Sequence, residues 1–466
     1  MGLIEDAIEL ANRPDWYGHK YLPGRTPGRH GARLPFTDSD TAREEECWFF
    51  LQMYKGLQEQ FIDKYPDETV EEFAKRWKCT INLTRPIIDI LSGLYRRAPQ
   101  RTIEAADRIK KRMHRVWRES ETDSFMISAD RMTRLTGTVA VRPYYDKNTS
   151  RVRYWFFTQD KLRVIEDEEN PASPKAVVVR WVARDGRNPR KLVRIAHIWT
   201  AEEFTKLVNG TEVKGARTGH GFGRVPLVFF HDKQDFESFF TYGRGRDICQ
   251  TNCIINNKLT HKLETIIYQG LGIPVLTNPS PNKEIVFSPK RAITIELPPG
   301  REGGLEFVSP NAPIAELLQD IEADVQHLLL ANRIPESAVR IKAGTASGVA
   351  IIAENIPLLE DREERVRLFA SKERELAELT LKTLNEFEDD FDFSQDFDDF
   401  DFHINYKEPE FPLNVTERIA RDEFLLRNGL IMPWQIWMRD DPDRFPSEDE
   451  ARKTWEKAGL IINSHN

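Results

Sequence analysis

At 466 residues the chain is roughly three times a typical single domain, so several substructures share it. Its 67 basic and 75 acidic side chains leave a formal charge of -8, which argues against a protein that coats DNA through bulk positive charge. A hydrophobic content of 40% and a mean hydropathy of -0.54 suit packed cores, and no apolar run reaches the ~18 residues of a spanning helix. The opening Met1 to Asp6 is acidic and lacks the basic and apolar regions of a secretory leader. Four cysteines are too few for a disulfide scaffold. A soluble, intracellularly made protein of several parts is the expectation.

The first forty residues carry Pro14, Pro23, Gly24, Pro27 and Gly28 and read as an irregular arm. Helical periodicity begins near Thr41 and runs through Cys47, Phe50, Leu51 and Tyr54. A second helix is expected over 82–95, where Ile87, Ile88, Leu91 and Leu94 make an apolar face. A third, over 104–118, carries Arg108, Lys110, Lys111, Arg112, Arg115 and Arg118, with Met113, Val116 and Trp117 needing a core. The period then changes. Runs at 138–144, 152–157, 162–165, 176–181 and 193–200 are short and rich in β-branched and aromatic residues. Connections such as Asp146-Lys147-Asn148 are too short for parallel crossovers, so an antiparallel meander is predicted. Residues 221–230 read as a turn into a buried strand.

A helix of roughly 40 Å is expected from about Gly243. A Pro-rich, β-rich insert follows over 272–311, with strands at 273–276, 283–287 and 292–297. A helix then returns over 312–332, with Ile314, Leu317, Ile321, Val325 and Leu328 on one stripe. After the loop Gly344-Thr345-Ala346-Ser347-Gly348 the pattern predicts a helix of roughly 60 Å, 347–388, kinked at Pro357. An acidic-aromatic tract, a strand at 403–406 and three C-terminal helices close the chain. One of these is stopped by Gly429, and the last is opened by the capping box of Ser447 and Glu450.

No phosphate-binding loop emerges. Gly243-Arg244-Gly245 and Gly221-Phe222-Gly223 do not continue as Gly-x-Gly-x-x-Gly, and Gly344 to Gly348 lacks the lysine of a P-loop. Cys249 and Cys253 share a helix face with only His261 nearby, so small buried residues are expected rather than zinc ligands. The tract from Glu386 to Asp401 holds Glu388, Asp389, Asp390, Asp392, Asp396, Asp398 and Asp399 between its ends. Its spacing is not that of an EF-hand, and it has no organised His or Lys partners. A surface loop pinned by Phe391, Phe393, Phe397 and Phe400 is the first reading, and a Ca²⁺ or Mg²⁺ site is the second. The basic helix reads as surface before it reads as a nucleic-acid contact. No catalytic residue, cofactor or metal site is assigned.

The order of these parts resembles the portal protein family of tailed bacteriophages. The resembling stretches are Asn82-Leu83-Thr84 to Tyr95, Thr136-Gly137-Thr138-Val139-Ala140-Val141 and Val225-Pro226-Leu227-Val228-Phe229-Phe230. The helix 246–270 and Ala346-Ser347-Gly348-Val349-Ala350 complete the set. The resemblance implies an α+β fold: an arm (1–40), an α/β wing with the meander (41–242), stem helices (243–270 and 312–334) and a small β-rich clip (271–311). A tunnel loop (335–346), a long kinked channel helix (347–388), a wing return (389–413) and a helical crown (414–466) follow.

It further implies a ring of about twelve copies around double-stranded DNA at one capsid vertex, a closed cyclic homo-oligomer. Such a ring is assembled in the host cytoplasm, is fed by a separate terminase large subunit, and later releases the genome. Its other partners are the head-tail adaptor and the major capsid and scaffold proteins, with no membrane. DNA contact is transient and not sequence-specific. Arg340, Lys342, Gly344, Ser347 and Gly348 fall at the tunnel loop, and Lys283, Glu284, Lys290, Arg291, Arg301 and Glu302 at the docking clip. The stem helices carry Arg244, Arg246, Lys258 and Lys262 against Glu316, Asp320, Glu322 and Asp324, so complementary charge between helices is expected. The alternative is a metal-dependent phage DNA-processing enzyme using the 386–401 tract.

Overall fold

The structure is a computed structural model, and it describes residues 2–13, 39–186, 188–235, 237–271, 273–276, 305–308, 312–335, 348–388, 391, 400–407, 415–429, 431–440 and 448–463. It is a mixed fold of helices and antiparallel sheets. The chain forms two compact units, one of residues 1–336 and 358–407, the other of 337–357 and 408–466. No helix among the described residues is long and apolar enough to cross a membrane.

The first unit opens with α1 (Leu3–Asn12), α2 (Ser39–Lys55), α3 (Val70–Lys75) and α4 (Thr84–Leu91). Then come β1 (Gln100–Glu104), α5 (Asp107–Glu119), α6 (Thr122–Thr136), β2 (Thr138–Asp146), β3 (Arg151–Thr158) and β4 (Leu162–Glu166). The sheets continue with β5 (Pro174–Arg184), β6 (Leu192–Trp199), β7 (Glu203–Val208), β8 (Thr211–Glu212), β9 (Thr218–Gly219) and β10 (Val228–His231). After these run α7 (Gly245–Leu271), β11 (Ile273–Leu276), β12 (Leu305–Val308), α8 (Ile314–Ala331), the part of α9 (Gly348–Phe387) that follows Pro357, and β13 (Asp401–Asn405).

The arm is not irregular throughout. Ile4, Ala7 and Leu10 recur at helical spacing and are buried against Ala176, Val178, Ala196 and Ile198, so α1 lies on the face of β5 and β6. The helix ends at Asn12, and Arg13 is already extended, as expected of a residue before proline.

The expected single meander is two sheets. β2 and β3 pair antiparallel and take β10 as the third strand, while β4 to β8 form a separate antiparallel meander with β9 on β7. A single turn at Gln159–Lys161 carries the chain from one sheet to the other. Between the two sheets lies a core of Ala140, Phe157, Leu162, Val177, Val179, Trp199 and Phe229. β1 pairs with β13 across some three hundred residues of sequence, a long-range contact invisible to local pattern.

α9 continues as helix through Pro357. Beyond it, Phe369, Leu376 and Leu379 pack with Tyr95, Val139, Val141 and Phe230, and Ala377, Leu381 and Leu384 pack with Ile109, Met113 and Val116 of α5. The basic residues of α5 therefore occupy the faces left over by a buried stripe. In the second unit α10 (Val415–Arg427), α11 (Pro433–Asp440) and α12 (Glu448–Asn463) follow one another. Trp434 packs on Trp455, and Arg439 clamps Asp422 through two bonds of 2.9 and 2.6 Å.

Candidate functional site

α7 runs into β11, β11 pairs antiparallel with β12, and the chain returns as α8 against α7. One flank of α7 is stitched to the segment between α2 and α4. Asn252 accepts from the Thr84 hydroxyl at 2.9 Å and donates to the Ile81 carbonyl at 2.8 Å. Asn256 accepts the Ile81 amide at 2.9 Å and donates to Gln58 at 2.7 Å, and Thr260 accepts the Cys79 amide at 3.1 Å. These asparagines satisfy backbone groups of an irregular stretch that has no ladder of its own.

The charges expected on the two helices divide between partners. Lys258 reaches Asp320 at 2.5 Å and Asp324 at 2.7 Å on α8. Arg246 instead takes Glu46 on α2 with bonds of 2.5 and 2.7 Å, and Arg244 takes Asp361 on α9 at 3.1 Å. Cys249 and Cys253 are buried in the core of α2, α4, α7 and α8, and burial pushes the Cys249 thiol well up. His261 packs on Tyr65 with ring centroids 4.8 Å apart.

Where α6, β10, α7 and α9 meet, five buried charged side chains and the partly exposed Arg244 form a cluster that periodicity does not reveal. Arg134 donates to both oxygens of Asp232 at 2.9 and 3.1 Å, and each of these side chains is 1% exposed. Arg134 also meets Asp361. Arg365 donates to Asp130 at 2.5 Å and lies 3.1 Å from Asp232, and Arg244 reaches Asp361. Three guanidiniums thus face three carboxylates. Burial, with Arg365 close by, brings Arg134 down to about 10, still fully charged at neutral pH. Burial also works against the charge of Arg365, but Asp130 and Asp232 outweigh it.

A second buried group fastens α9 to β1 and to the residue after β13. Arg101 grips Glu373 with bonds of 3.1 and 2.9 Å, Tyr95 donates to Glu373 at 2.8 Å, and the Tyr95 and Tyr406 hydroxyls are 3.1 Å apart. Backbone contact is equally tight at the cluster. Gly137 has φ of +98°, and a side chain there would meet the Thr241 carbonyl at 2.0 Å.

Of the sequence-predicted site residues, Gly348 is the first residue of α9. Arg340, Lys342, Gly344 and Ser347 lie outside the described residues, as do Lys283, Glu284, Lys290, Arg291, Arg301 and Glu302. Within the acidic tract, Glu388 is held by Arg112, with one bond of 3.0 Å. Asp401 sits 3.5 Å from Arg374 and 3.0 Å from His403. Phe400 is buried and Phe391 packs against the same core, as anchors do. Glu386 is an exposed residue in the last turn of α9, and Asp389, Asp390, Asp392, Asp396, Asp398 and Asp399, with Phe393 and Phe397, lie outside the described residues.

Comparison with curated protein sequences gives no match. The family described as phage portal protein, SPP1 Gp6-like, matches residues 49–410. That span takes in both sheets, the α7/α8 hairpin, both buried charge groups and all of α9. The chain belongs to the phage portal protein family.

Proposed function

We propose that the chain is the ring-forming subunit of a DNA channel at one vertex of a phage capsid. The observation that carries this reading is the family match over residues 49–410. On this reading 41–242 is the wing and 389–413 its return, and α7 and α8 are the stem. Residues 271–311 are the clip, 335–346 the tunnel loop, α9 the channel helix and 414–466 the crown. The role is structural. A separate terminase motor drives the genome in, the clip receives terminase and later the head-tail adaptor, and capsid and scaffold proteins hold the outside.

The chemistry suits a channel that guides without gripping. Each phosphate neutralised by a cation adds salt-dependent affinity and therefore friction. A chain with net charge -8 offers few spare cations, and Arg340 and Lys342 repeated around a ring supply a narrow band of them. Clamps such as Arg134 to Asp232 and Arg365 to Asp130 are internal and add nothing to DNA affinity.

Electron microscopy and native mass spectrometry of the purified protein test the reading. A closed ring of about twelve copies with an axial hole is expected. A monomer at micromolar concentration, at every salt tried, refutes it.

A further inference from the structure

Arg142 is set apart from the other arginines that this fold buries. Arg101, Arg134, Arg163 and Arg365 each hold a carboxylate, that of Glu373, Asp232, Glu44 and Asp130 in turn. Arg142 holds none among the described residues. Its Nε is buried without a hydrogen-bond partner, and its guanidinium lies 4.1 Å from the centroid of the Trp199 ring. Burial brings it down to about 10, and only the Tyr144 phenol acts in favour of the charge. The Trp199 face offsets part of the lost hydration, since a cation–π contact is worth less than taking a guanidinium out of water costs. An anion arriving at such a charge gains more than it would at a solvated one.

The topology gathers further basic groups around Arg142. Strand alternation puts Ala140, Arg142 and Tyr144 on the face of β2 that looks across at the second sheet, with Trp155 of β3 opposite Arg142 in register. On the facing sheet His197 and Trp199 of β6 pair with Lys206 and Phe204 of β7. Trp155 packs on Trp181 with ring centroids 5.0 Å apart, Trp181 on His197 at 4.7 Å, and Trp199 on His220 at 5.6 Å. Burial, then Arg142 and Lys206, hold His197 down to about 3. Burial first also lowers His220, with Arg142 acting the same way and Glu386 of α9 opposing it more weakly. Two cations and two neutral imidazoles thus converge at one edge of the space between the sheets.

We infer that this edge is a binding site for a carboxylate carried by an acidic segment of a partner protein. The Arg142 fork takes the carboxylate, and Lys206 supplies the second positive charge. A neutral imidazole still donates one N–H, so His197 and His220 add hydrogen-bonding capacity. Trp155, 38% exposed, and Tyr144, 37% exposed, supply apolar walls for the peptide side chains beside the carboxylate. Single-stranded nucleic acid calls for cations strung along a groove, whereas these meet at a point.

The full-length chain is titrated against a fluorescein-labelled peptide, Gly-Glu-Leu-Glu-Gly, and read by anisotropy at about 0.15 M salt, where longer-range attraction is screened. A chain of net charge -8 gives an acidic peptide no general reason to bind. Saturable binding is expected, weakened by about tenfold or more in Arg142→Gln and in Lys206→Gln. Lys214→Gln, which removes an equal charge from the exposed stretch between β8 and β9, should bind as the parent does. The peptide should raise the melting temperature of the parent and of Lys214→Gln but not of Arg142→Gln. Lys206 is only partly buried, so Lys206→Gln carries the test where Arg142→Gln folds poorly.

No saturation at millimolar peptide overturns the site, and so does parent-like binding by Arg142→Gln and Lys206→Gln. Acetate that competes at the peptide's own concentration assigns the site to a free carboxylate. A thymidine oligonucleotide that competes more tightly than the peptide assigns it to nucleic acid. Either result overturns the protein ligand, and none of these outcomes depends on whether copies of the chain form a ring.

Discussion

Replacing Asp232 by Ala removes the carboxylate that two buried arginines share. Arg134 loses both of its bonds to it, and Arg365 loses a contact of 3.1 Å, so three guanidiniums are left facing two carboxylates. Removing one partner of a buried ion pair costs about 3–5 kcal/mol. Here Arg134 keeps Asp361 and Arg365 keeps Asp130, which places the expected loss near the lower end, about 3 kcal/mol. Combining Asp232→Leu with Arg134→Met restores the balance at two against two and should recover at least half of that loss. Asp123→Ala is the control. Asp123 also pairs with an arginine but is 45% exposed, so its loss should stay under about 1 kcal/mol. Urea unfolding, with the slope checked for constancy, measures all three. A loss below about 1 kcal/mol for Asp232→Ala, or a double variant no more stable than Asp232→Ala, would refute the cluster as the seat of α9.

Gly137→Ala should destabilise by about 3 kcal/mol or more and reduce soluble yield, because a positive φ and a backbone oxygen at 2.0 Å both oppose a side chain. Acid should destabilise through two histidines. Burial first, then Arg142, holds His197 down to about 3, and burial with Lys372 holds His231 down to about 4. Unfolded histidine binds its proton near pH 6.5, so below that pH the unfolded state takes up more protons and stability falls as pH drops. Between pH 7 and 5 the loss is roughly 2 kcal/mol per histidine. A His197→Gln, His231→Gln variant should show a shallower fall in urea midpoint, and an identical slope would exclude these groups. Charge reversal at Lys290 and Arg291 should weaken binding of terminase and adaptor in pull-down while rings persist, and unchanged binding would remove the clip from the docking role. Arg340→Ala with Lys342→Ala, and separately Gly344→Val, should leave assembly intact but lower the DNA packaged per particle. Full genomes in both would move the constriction elsewhere.

Much of this architecture is legible from period and punctuation. α7, α8 and α9 start and stop within about two residues of where apolar spacing and glycine put them, and β11 falls where it was expected. α6 was not seen. Its helix carries Asp123, Asp130, Thr133 and Arg134, and a charged pair four residues apart reads as solvent-facing unless its partners are known. Those partners, Asp232, Asp361 and Arg365, lie about a hundred to more than two hundred residues further on. α1 was hidden by the prolines and glycines that follow it, since composition averaged over forty residues outweighed a ten-residue stripe. The division into two sheets was equally hidden: strands of one antiparallel meander and of two look alike until pairing is known, and only three residues separate β3 from β4.

The same physics connects the missed cluster with the proposed role. A helix as long as α9 makes no stable position for itself; it is held only where its side chains are engaged. The engagement is dense after Pro357, with Asp361 and Arg365 in the charge cluster, Phe369 and Leu376 in the core, and Glu373 under Arg101 and Tyr95. Apolar burial alone allows neighbouring registers of a helix to compete, because one leucine replaces another at little cost. Fixed charges do not. A shift of one turn would take Asp361 from Arg134 and Arg244, and Arg365 from Asp130 and Asp232, at once, so that Asp361, Arg365 and Asp130 lose these ion pairs while Arg134 keeps Asp232. The cluster therefore fixes register as well as adding stability. On the proposed channel reading, a common register of α9 is what the copies of a ring must share if they are to present one bore.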